Sequence, residues 1–269
     1  MIAGPALLFC PADRPDRYDK AAAAADTVIL DLEDAVASAD KAGARRSLVT
    51  ARLDPARTIV RVNPVTSPEL ALDLAALRDT PFRTVMIAKA EDPEALAALA
   101  GHRVVALCET PLGVERAGAL ARHPSVDALM WGAEDLVAGI GGRSSRTADG
   151  GYRDVARYAR ARVLIAAAAA GKDAIDAVHL DIADVDGLTD EATDAAASGF
   201  TATACIHPSQ VGVIRRAYAP SADDVELAEA VLAAAGSEPG VFRFRGRMVD
   251  EPVLRQARRT LAAVAASRP

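Results

Sequence analysis

The chain alternates short apolar runs with longer alanine-rich segments, and this alternation constrains its fold more than any other feature. Eight runs rich in β-branched or other apolar residues predict strands, at residues 6–10, 27–32, 58–62, 84–88, 104–108, 128–131, 174–180 and 202–206. Segments with helical spacing lie between them, at residues 14–25, 67–77, 92–100, 113–122, 152–170 and 189–197. Strands that alternate with helices pair in parallel through right-handed crossovers. Eight such units predict an α/β fold, a (β/α)8 TIM barrel.

An open, doubly wound sheet is the alternative arrangement of alternating strands and helices. When that fold binds a dinucleotide, it opens with a strand, a GxGxxG turn and a helix. The sequence contains no such opening. We therefore favour the closed barrel.

The alternation stops after Pro220. The remaining residues contain a predicted helix at 222–235, a short apolar and basic stretch, VFRFRG, and a second predicted helix at about 251–266. The sequence thus predicts a barrel catalytic domain at residues 1–220 and a C-terminal helical extension at residues 221–269, with no strand to add to the barrel. We expect the extension to pack on the barrel rim or on a neighbouring subunit.

Charge and cysteine content exclude several classes of protein. The formal net charge of -6 argues against a nucleic acid or a membrane surface as partner, because both attract basic proteins. The three cysteines are far apart and lie in apolar runs, which predicts reduced core thiols in a reducing compartment. No apolar stretch is long enough to span a bilayer, and the N-terminus lacks the features of a signal peptide. We expect a cytoplasmic location.

Polar residues follow nearly every predicted strand, at the end where barrel enzymes carry their chemistry. They are Glu33, Asp34, Arg61, Asn63, Lys89, Glu109, Glu134, Asp135, Asp181 and His207. Any one of them can be a solvated loop residue, and Asp34 and Asp135 can each cap the helix that follows. Together they place many carboxylates on one rim, and such a rim repels itself unless a cation is bound.

Glu109 and Asp135 follow neighbouring strands and offer two oxygen ligands without a nearby His or Cys donor. Ligation by one or two carboxylates, with positions left for water and substrate, is typical of Mg²⁺. Arg61 ends the third strand, where a guanidinium is suited to hold a substrate carboxylate or to stabilise a developing oxyanion. The alternative for Arg61 is a salt bridge to Glu33 or to Glu109.

Arg14, Arg17 and Lys20 are spaced three residues apart just after the first strand. On a helix this spacing lines up one face, and a basic face beside the active site suits the phosphates of coenzyme A. The alternative is a solvated helix face paired with the neighbouring aspartates, and charge alone favours that alternative.

Taken together, the motifs resemble the citrate lyase β-subunit family of the HpcH/HpaI aldolase superfamily, which includes malyl-CoA and citramalyl-CoA lyases. The resemblance is carried in order by FCPADRPDRYDKA, ILDLEDAV, VRVN, ETPLGVERA, GAEDL, GFTATACIHPSQ and GRMVDEPVLRQA, from residue 7 to about residue 260. It implies a (β/α)8 barrel with a C-terminal helical extension, assembled as a homotrimer or hexamer. It also implies Mg²⁺-dependent cleavage or formation of carbon–carbon bonds in 3-hydroxyacyl thioesters.

The resemblance implies a role for each matching residue. Glu109 in ETPLG and Asp135 in GAEDL match metal ligands, and Arg61 in VRVN matches the residue that binds the substrate carboxylate or carbonyl. The other matches are Glu33 and Asp34 in DLEDAV as acids near the waters of the metal, Arg14 and Lys20 as coenzyme A contacts, and Asp250 in GRMVDEP as an acid that reaches into the neighbouring subunit's site. One departure is Ala88 before Lys89, where the family commonly has Pro.

The resemblance predicts cleavage or formation of a 3-hydroxyacyl-CoA such as malyl-CoA or citramalyl-CoA. The products of cleavage are acetyl-CoA and a 2-oxo acid, glyoxylate or pyruvate. Two alternatives stay open. One is a citrate lyase β-subunit that acts on a citryl thioester of an acyl-carrier protein, and the other is a non-catalytic protein that binds acyl-CoA or oxo acids.

Overall fold

The computed structural model describes residues 2–236 and 240–266 and divides the chain into two compact units, Met1–Ile214 and Arg215–Pro269. The sequence predicts this division at 220/221. The structure places it earlier, inside the helix Pro208–Tyr218, because that helix continues from the last barrel strand into the second unit. The predicted extension at 221–269 includes residues 237–239 and 267–269, which lie outside the described residues.

Unit one is a closed barrel of eight parallel strands in chain order, as predicted. The strands are β1 (Ala6–Pro11), β2 (Thr27–Asp31), β3 (Thr58–Val62), β4 (Thr84–Ile87), β5 (Arg103–Cys108), β6 (Val126–Trp131), β7 (Asp173–Asp176) and β8 (Ala202–Cys205). Pairing of β1 with β8 closes the barrel. Closure brings all eight strand C-termini to one mouth.

Alternate residues of the strands fill the barrel interior. The buried cluster consists of Leu7, Ile29, Ile59, Met86, Val105, Leu107, Ala128, Met130, Ile175, Ala202 and Ala204. Because side chains alternate between the two faces of a strand, residues two positions further along also face the barrel axis. This alternation decides which side chains reach the mouth.

Helices separate the strands and surround the barrel. They are α1 (Tyr18–Ala24), α2 (Lys41–Thr50), α3 (Glu69–Arg78), α4 (Pro111–Arg122), α5 (Ala133–Gly139), α6 (Asp154–Ala169), α7 (Val185–Ser198) and α8 (Pro208–Tyr218), with 3-10 turns at Pro15–Arg17, Pro55–Arg57 and Glu94–Leu99. Two predictions are wrong in detail. The helix predicted at 92–100 is a 3-10 turn, and the one predicted at 14–25 is a 3-10 turn followed by α1.

The predicted seventh strand, at 174–180, is too long, because the observed strand ends at Asp176. The buried Asp176 carboxylate accepts hydrogen bonds from the side chains of Trp131 and Arg160 and from the N–H of Ala177. These bonds turn the backbone out of the ladder. The residues after Ala177 therefore form a loop at the mouth.

Unit two, in its described part, contains α9 (Ala222–Ala235), β9 (Phe242–Phe244), β10 (Arg247–Val249) and α10 (Glu251–Ala266). The two helices are as predicted, and VFRFRG supplies the first strand and the turn of an antiparallel hairpin with β10 that the sequence analysis does not predict. Its apolar residues pack with those of both helices, in a cluster that includes Ala228, Val231, Phe242, Val249 and Leu254.

Within residues 2–236 and 240–266, no helix combines the length and the apolar character that crossing a bilayer requires.

Candidate active site

A cavity of about 280 Å³ opens at the mouth of the barrel. Its apolar lining comes from Phe9, Leu107, Met130, Trp131, Ala177, Val178, Leu180 and Ile206, and its polar lining from Asp31, Asp34, Arg61, Glu109, Glu134 and Asp135. A concave, largely apolar pocket with a few converging polar groups is the usual form of a small-molecule site. Of the strand-end residues predicted from the sequence, Asp34, Arg61, Glu109, Glu134 and Asp135 thus meet in one place.

Strand alternation explains why these charges face the cavity. Asp31 and Arg61 follow interior residues of β2 and β3 by two positions, and Glu109 follows Leu107 of β5 in the same way. Each charged side chain is therefore in phase with the apolar residues of the barrel axis. Along these strands, the inward-facing positions are apolar inside the barrel and charged at the mouth.

Arg61 is held rigidly at the base of the cavity. Its Nε and Nη2 donate to the two carboxylate oxygens of Asp31 at 2.7 and 2.5 Å, and its Nη1 lies 3.2 Å from Glu33 Oε2. The guanidinium also lies 4.9 Å from the centroid of the Phe9 ring. Burial alone would lower the pKa of Arg61, but the hydrogen bonds and charge of Asp31 outweigh it and raise that pKa further. Arg61 is a fixed positive charge at every accessible pH.

Glu109 is buried at the end of β5, with 3% of its surface exposed. Its Oε1 accepts a hydrogen bond from the N–H of Lys89 at 3.0 Å. A Cβ on Gly132 would lie 2.9 Å from the Oε2 of Glu109 and 2.9 Å from its Cβ, so only glycine leaves room for this carboxylate. Burial, and then the charge of Asp135, raise the pKa of Glu109 to about 8.

Lys89 follows β4 with a left-handed backbone, φ 51°. Its ammonium hydrogen-bonds Glu33 and lies 3.3 Å from Asp34 Oδ2 and 3.5 Å from Asp135 Oδ1. Burial lowers the pKa of Lys89, but the hydrogen bond and charge of Glu33 outweigh it and raise that pKa. Lys89 is therefore a second cation of the mouth.

Negative charge exceeds positive charge here. We call the set of Asp31, Glu33, Asp34, Glu109 and Asp135, with Arg61 and Lys89, the carboxylate side of the mouth. Its five carboxylates face two cations. When all are ionised, the imbalance of three negative charges favours a bound divalent cation.

The donors present fit Mg²⁺. Glu109 and Asp135 are carboxylates on one cavity, and Gly132 leaves the space beside Glu109 that its carboxylate needs. Among residues 2–236 and 240–266, no three His, Cys, Asp or Glu side chains form a ready metal cluster. Two protein carboxylates with positions left for water and substrate are what Mg²⁺ commonly uses. A zinc site would need His or Cys ligands instead.

Charges beside the mouth, around the C-terminal end of β7 and outside the cavity lining, are paired with one another. Asp176 accepts hydrogen bonds from Arg160 Nη2 at 2.9 Å and from Trp131 Nε1 at 2.5 Å. Glu191 pairs with Arg146 and with His179, whose Nδ1 lies 2.9 Å from it. We call the set of Arg146, Arg160, Asp176, His179 and Glu191 the paired side of the mouth. Such closed networks hold a loop in place and offer little charge to a ligand.

Neither Asp34 nor Asp135 caps a helix, which the sequence analysis considers as an alternative for both. Asp135 lies inside α5, whose N-cap is Gly132, and α2 begins after Asp40 rather than after Asp34. Both acids instead line the cavity.

The predicted coenzyme A contacts do not share one α-helical face. Arg14 precedes the 3-10 turn and pairs with Asp16 at 3.1 Å, whereas Lys20 lies exposed on α1. The pairing with Asp16 is the alternative that charge alone favours. A role of Arg14 and Lys20 in coenzyme A binding stays a prediction.

The remaining strand-end residues have local partners. Glu134 accepts a hydrogen bond from Ser145 at 2.6 Å, Asp181 accepts one from the Ala183 N–H, and His207 contacts Ser209. Asp250 belongs to unit two, where its carboxylate accepts from the Val253 N–H at 3.4 Å beside the start of α10. Its predicted role in a neighbouring subunit's site stays a prediction.

Sequence reasoning missed Asp31. Asp31, whose carboxylate holds Arg61, lies just before the more conspicuous acidic pair Glu33 and Asp34. The signal was available, because Asp31 lies two residues after Ile29 just as Arg61 lies two residues after Ile59. In the barrel, the two residues are register partners on adjacent strands.

A closed parallel barrel with a carboxylate-rich mouth and a clamped arginine is the architecture of a metal-dependent barrel enzyme. The family model described as HpcH/HpaI aldolase/citrate lyase matches residues 6–208. The chain belongs to this family, and its class is that of the carbon–carbon lyases.

Named relatives resemble the chain over nearly its whole length. A citrate lyase subunit beta-like protein of Mycobacterium tuberculosis is 56% identical over 255 residues, covering 95% of this chain and 93% of the relative. The mitochondrial citramalyl-CoA lyase of Homo sapiens is 31% identical over 290 residues, covering 95% and 84%.

Solved structures of CitE from Mycobacterium tuberculosis resemble the fold. The crystal structure with magnesium, acetoacetate and coenzyme A has a TM-score of 0.95 at 54% identity and covers 98% of each chain. The structure with magnesium and pyruvate has a TM-score of 0.86 at 51% identity and covers 96% of this chain and 98% of that one.

Proposed function

We propose that the protein is a Mg²⁺-dependent lyase that cleaves or forms a 3-hydroxyacyl-CoA such as malyl-CoA or citramalyl-CoA. Cleavage yields acetyl-CoA and a 2-oxo acid, glyoxylate or pyruvate. The observation that carries the proposal is the meeting of Glu109, Asp135 and Arg61 on one cavity at the barrel mouth. The relatives named above support the class of substrate.

Glu109 and Asp135 are the residues that would hold the ion. When bound, Mg²⁺ supplies Lewis-acid polarisation of the substrate oxygen, which contributes several kcal/mol to transition-state stabilisation. Glu109 is positioned for this by the Lys89 N–H and by the open space above Gly132. Glu33 and Asp34 contact Lys89 next to the site, and we assign them the role of orienting the waters that a bound ion would carry.

Arg61 holds the acid end of the substrate. Asp31 accepts hydrogen bonds from Nε and Nη2 of Arg61, which fixes the plane of the guanidinium. The group has five N–H donors, so these two bonds leave others for a substrate. A guanidinium fixed in this way binds a carboxylate and supports negative charge that develops next to it. Because Asp31 holds Arg61 before the substrate arrives, little reorganisation is needed on binding.

The carbon–carbon bond breaks without any change in oxidation state overall. The hydroxyl oxygen gives its proton to solvent water, the bond between C2 and C3 breaks with its electron pair passing to the thioester enolate, and that enolate takes up one proton at carbon. Asp250 of a neighbouring subunit is the acid that we assign to that last proton transfer, and Arg14 and Lys20 are the assigned coenzyme A contacts. These assignments assume a homotrimer or hexamer.

The test is a panel of malyl-CoA, citramalyl-CoA and related 3-hydroxyacyl-CoAs incubated with the pure protein and Mg²⁺, with mass detection of every product. We expect acetyl-CoA together with glyoxylate or pyruvate, and no turnover after chelation of the metal. Free coenzyme A with an intact malate product would instead indicate thioester hydrolysis. Intact substrates under all conditions would contradict the proposal.

The same panel separates the two alternatives. A citrate lyase β-subunit would act on citryl thioesters of an acyl-carrier protein and leave the free coenzyme A esters untouched. A binding protein would show saturable binding of acyl-CoA without any product. The presence of Glu109, Asp135 and Arg61 on one cavity favours turnover over binding alone.

A further inference from the structure

Lys89 contacts the carboxylate side with both its backbone and its side chain. Its N–H donates to Glu109 Oε1 at 3.0 Å. Its ammonium hydrogen-bonds Glu33 and lies 3.5 Å from Asp135 Oδ1. One residue thus links the two carboxylates assigned to the cation and the acid next to them.

The left-handed backbone of Lys89 directs its side chain toward the carboxylate side of the mouth. Its φ of 51° lies in the left-handed region, which glycine adopts freely and residues with a side chain adopt at a cost. Continued alternation from Met86 would also direct the side chain at position 89 away from the barrel axis. The left-handed turn re-aims it, so its ammonium reaches Glu33 and Asp135. Strain of this kind is characteristic of functional sites.

The ammonium occupies the carboxylate cluster as a resident positive charge. Only 30% of the side chain is exposed, so its interaction with a cation a few ångströms away is weakly screened. It lessens the repulsion between the acids, and it opposes the arrival of another cation beside Asp135.

We propose that Lys89 is a positioning residue that sets the affinity of the Glu109–Asp135 site for Mg²⁺, its N–H orienting Glu109 and its ammonium competing with the ion at Asp135. The proposal rests on the proposed function in one respect, the assignment of Glu109 and Asp135 as the cation ligands. Because the ammonium lowers the affinity of the site for Mg²⁺, Lys89 keeps the bound ion exchangeable.

Two neutral replacements test this. Lys89→Met removes the ammonium and keeps the side-chain length, while Lys89→Gly removes it and also relieves the left-handed backbone, so that variant is suited to fold. Lys89→Arg keeps the charge. Lys172→Met is the matched control, because Lys172 precedes β7 at the opposite end of the barrel and its loss changes the net charge equally.

The measurement is calorimetric titration with Mg²⁺ alone, at one pH and ionic strength that are the same for the parent and every variant. We expect Lys89→Met and Lys89→Gly to bind Mg²⁺ about tenfold more tightly than the parent protein. Lys89→Arg and Lys172→Met should bind within about twofold of the parent. A purely structural role would weaken binding or leave it unchanged, and would never strengthen it.

Each outcome is decisive. Unchanged or weaker Mg²⁺ binding by both neutral variants, with normal binding by the parent, overturns the role of Lys89 and leaves the proposed function standing. A parent protein that binds no Mg²⁺ contradicts both the proposed function and this inference.

Discussion

The carboxylate side and the paired side of the mouth contain the same types of charged residue, but the charges are balanced only on the paired side. On the paired side, Asp176 and Glu191 each meet arginine, and the network holds the loops that follow β6 and β7. On the carboxylate side, Glu109 is buried without such a partner and its pKa is raised to about 8, first by burial and then by Asp135. Paired charges maintain the structure, and the unbalanced charges of the other side are available for a ligand.

The largest effect should come from the carboxylate side. Glu109→Gln keeps the shape of the side chain and removes a metal ligand, so we expect activity to fall at least about a thousandfold. The fold should survive, because a buried amide costs less than a buried carboxylate. Turnover assays and Mg²⁺ titration check the first expectation and urea unfolding the second. A variant that keeps both its activity and its Mg²⁺ affinity would contradict the role assigned to Glu109.

The paired side should respond in the opposite way. Asp176→Asn leaves the Arg160 guanidinium with less compensation and weakens the network at Trp131, so we expect the free energy of unfolding to fall by about 3 kcal/mol. Mg²⁺ affinity should stay close to that of the parent, as calorimetry on the folded variant would show. Lost Mg²⁺ binding in a stable protein would erase the distinction between the two sides.

A smaller effect is expected at Gly132. In Gly132→Ala the new Cβ meets Glu109 Cβ and Oε2 at 2.9 Å, so the carboxylate must shift. We expect Mg²⁺ affinity to fall about tenfold, as for other changes that disturb the support of a metal ligand. Gly141→Ala is a control for local backbone effects, because its Cβ would meet nothing within 4 Å, although its φ is positive. Equal Mg²⁺ affinity in Gly132→Ala and the parent would show that the contact with Glu109 does not position it.

The smallest effect concerns pH. The hydrogen bond from His179 to Glu191 raises the pKa of His179 against the opposing effect of burial. Because the folded-state pKa lies above the unfolded one, the stabilisation is complete below pH 6.5 and is lost as pH rises through the folded pKa. The stability advantage of the parent over His179→Gln should therefore shrink as pH rises above 6.5. Urea unfolding across that range checks it, and a constant difference would show that the imidazole does not titrate there.

Much of the fold follows from the sequence because periodicity encodes it. The alternation of apolar runs and helical segments predicts the closed barrel, and Glu109 is found because it directly follows the apolar run at 104–108. Strand ends are harder to predict, since they depend on tertiary contacts. The end of β7 at Asp176 is set by bonds from Trp131 and Arg160, residues far away along the chain.

Parts of the site also depend on three-dimensional contacts. The left-handed backbone of Lys89 and the close approach of Glu109 to Gly132 have no signature in a single sequence. The pairing of Asp31 with Arg61 could have been inferred from strand register, but two more conspicuous acids follow it. The sequence therefore identifies the chemistry of the mouth better than the partners of its charges.

The central claim is that Glu109 and Asp135 bind a divalent ion at which Arg61 holds the acid end of a small oxo acid. The most direct measurement is a crystal structure of the protein with Mn²⁺ in place of Mg²⁺ and with pyruvate, using the anomalous signal of manganese to locate the ion. We predict one anomalous peak ligated by both carboxylates, with the pyruvate carboxylate on Arg61. An empty position between Glu109 and Asp135 at saturating Mn²⁺, or pyruvate bound away from Arg61, would contradict the claim.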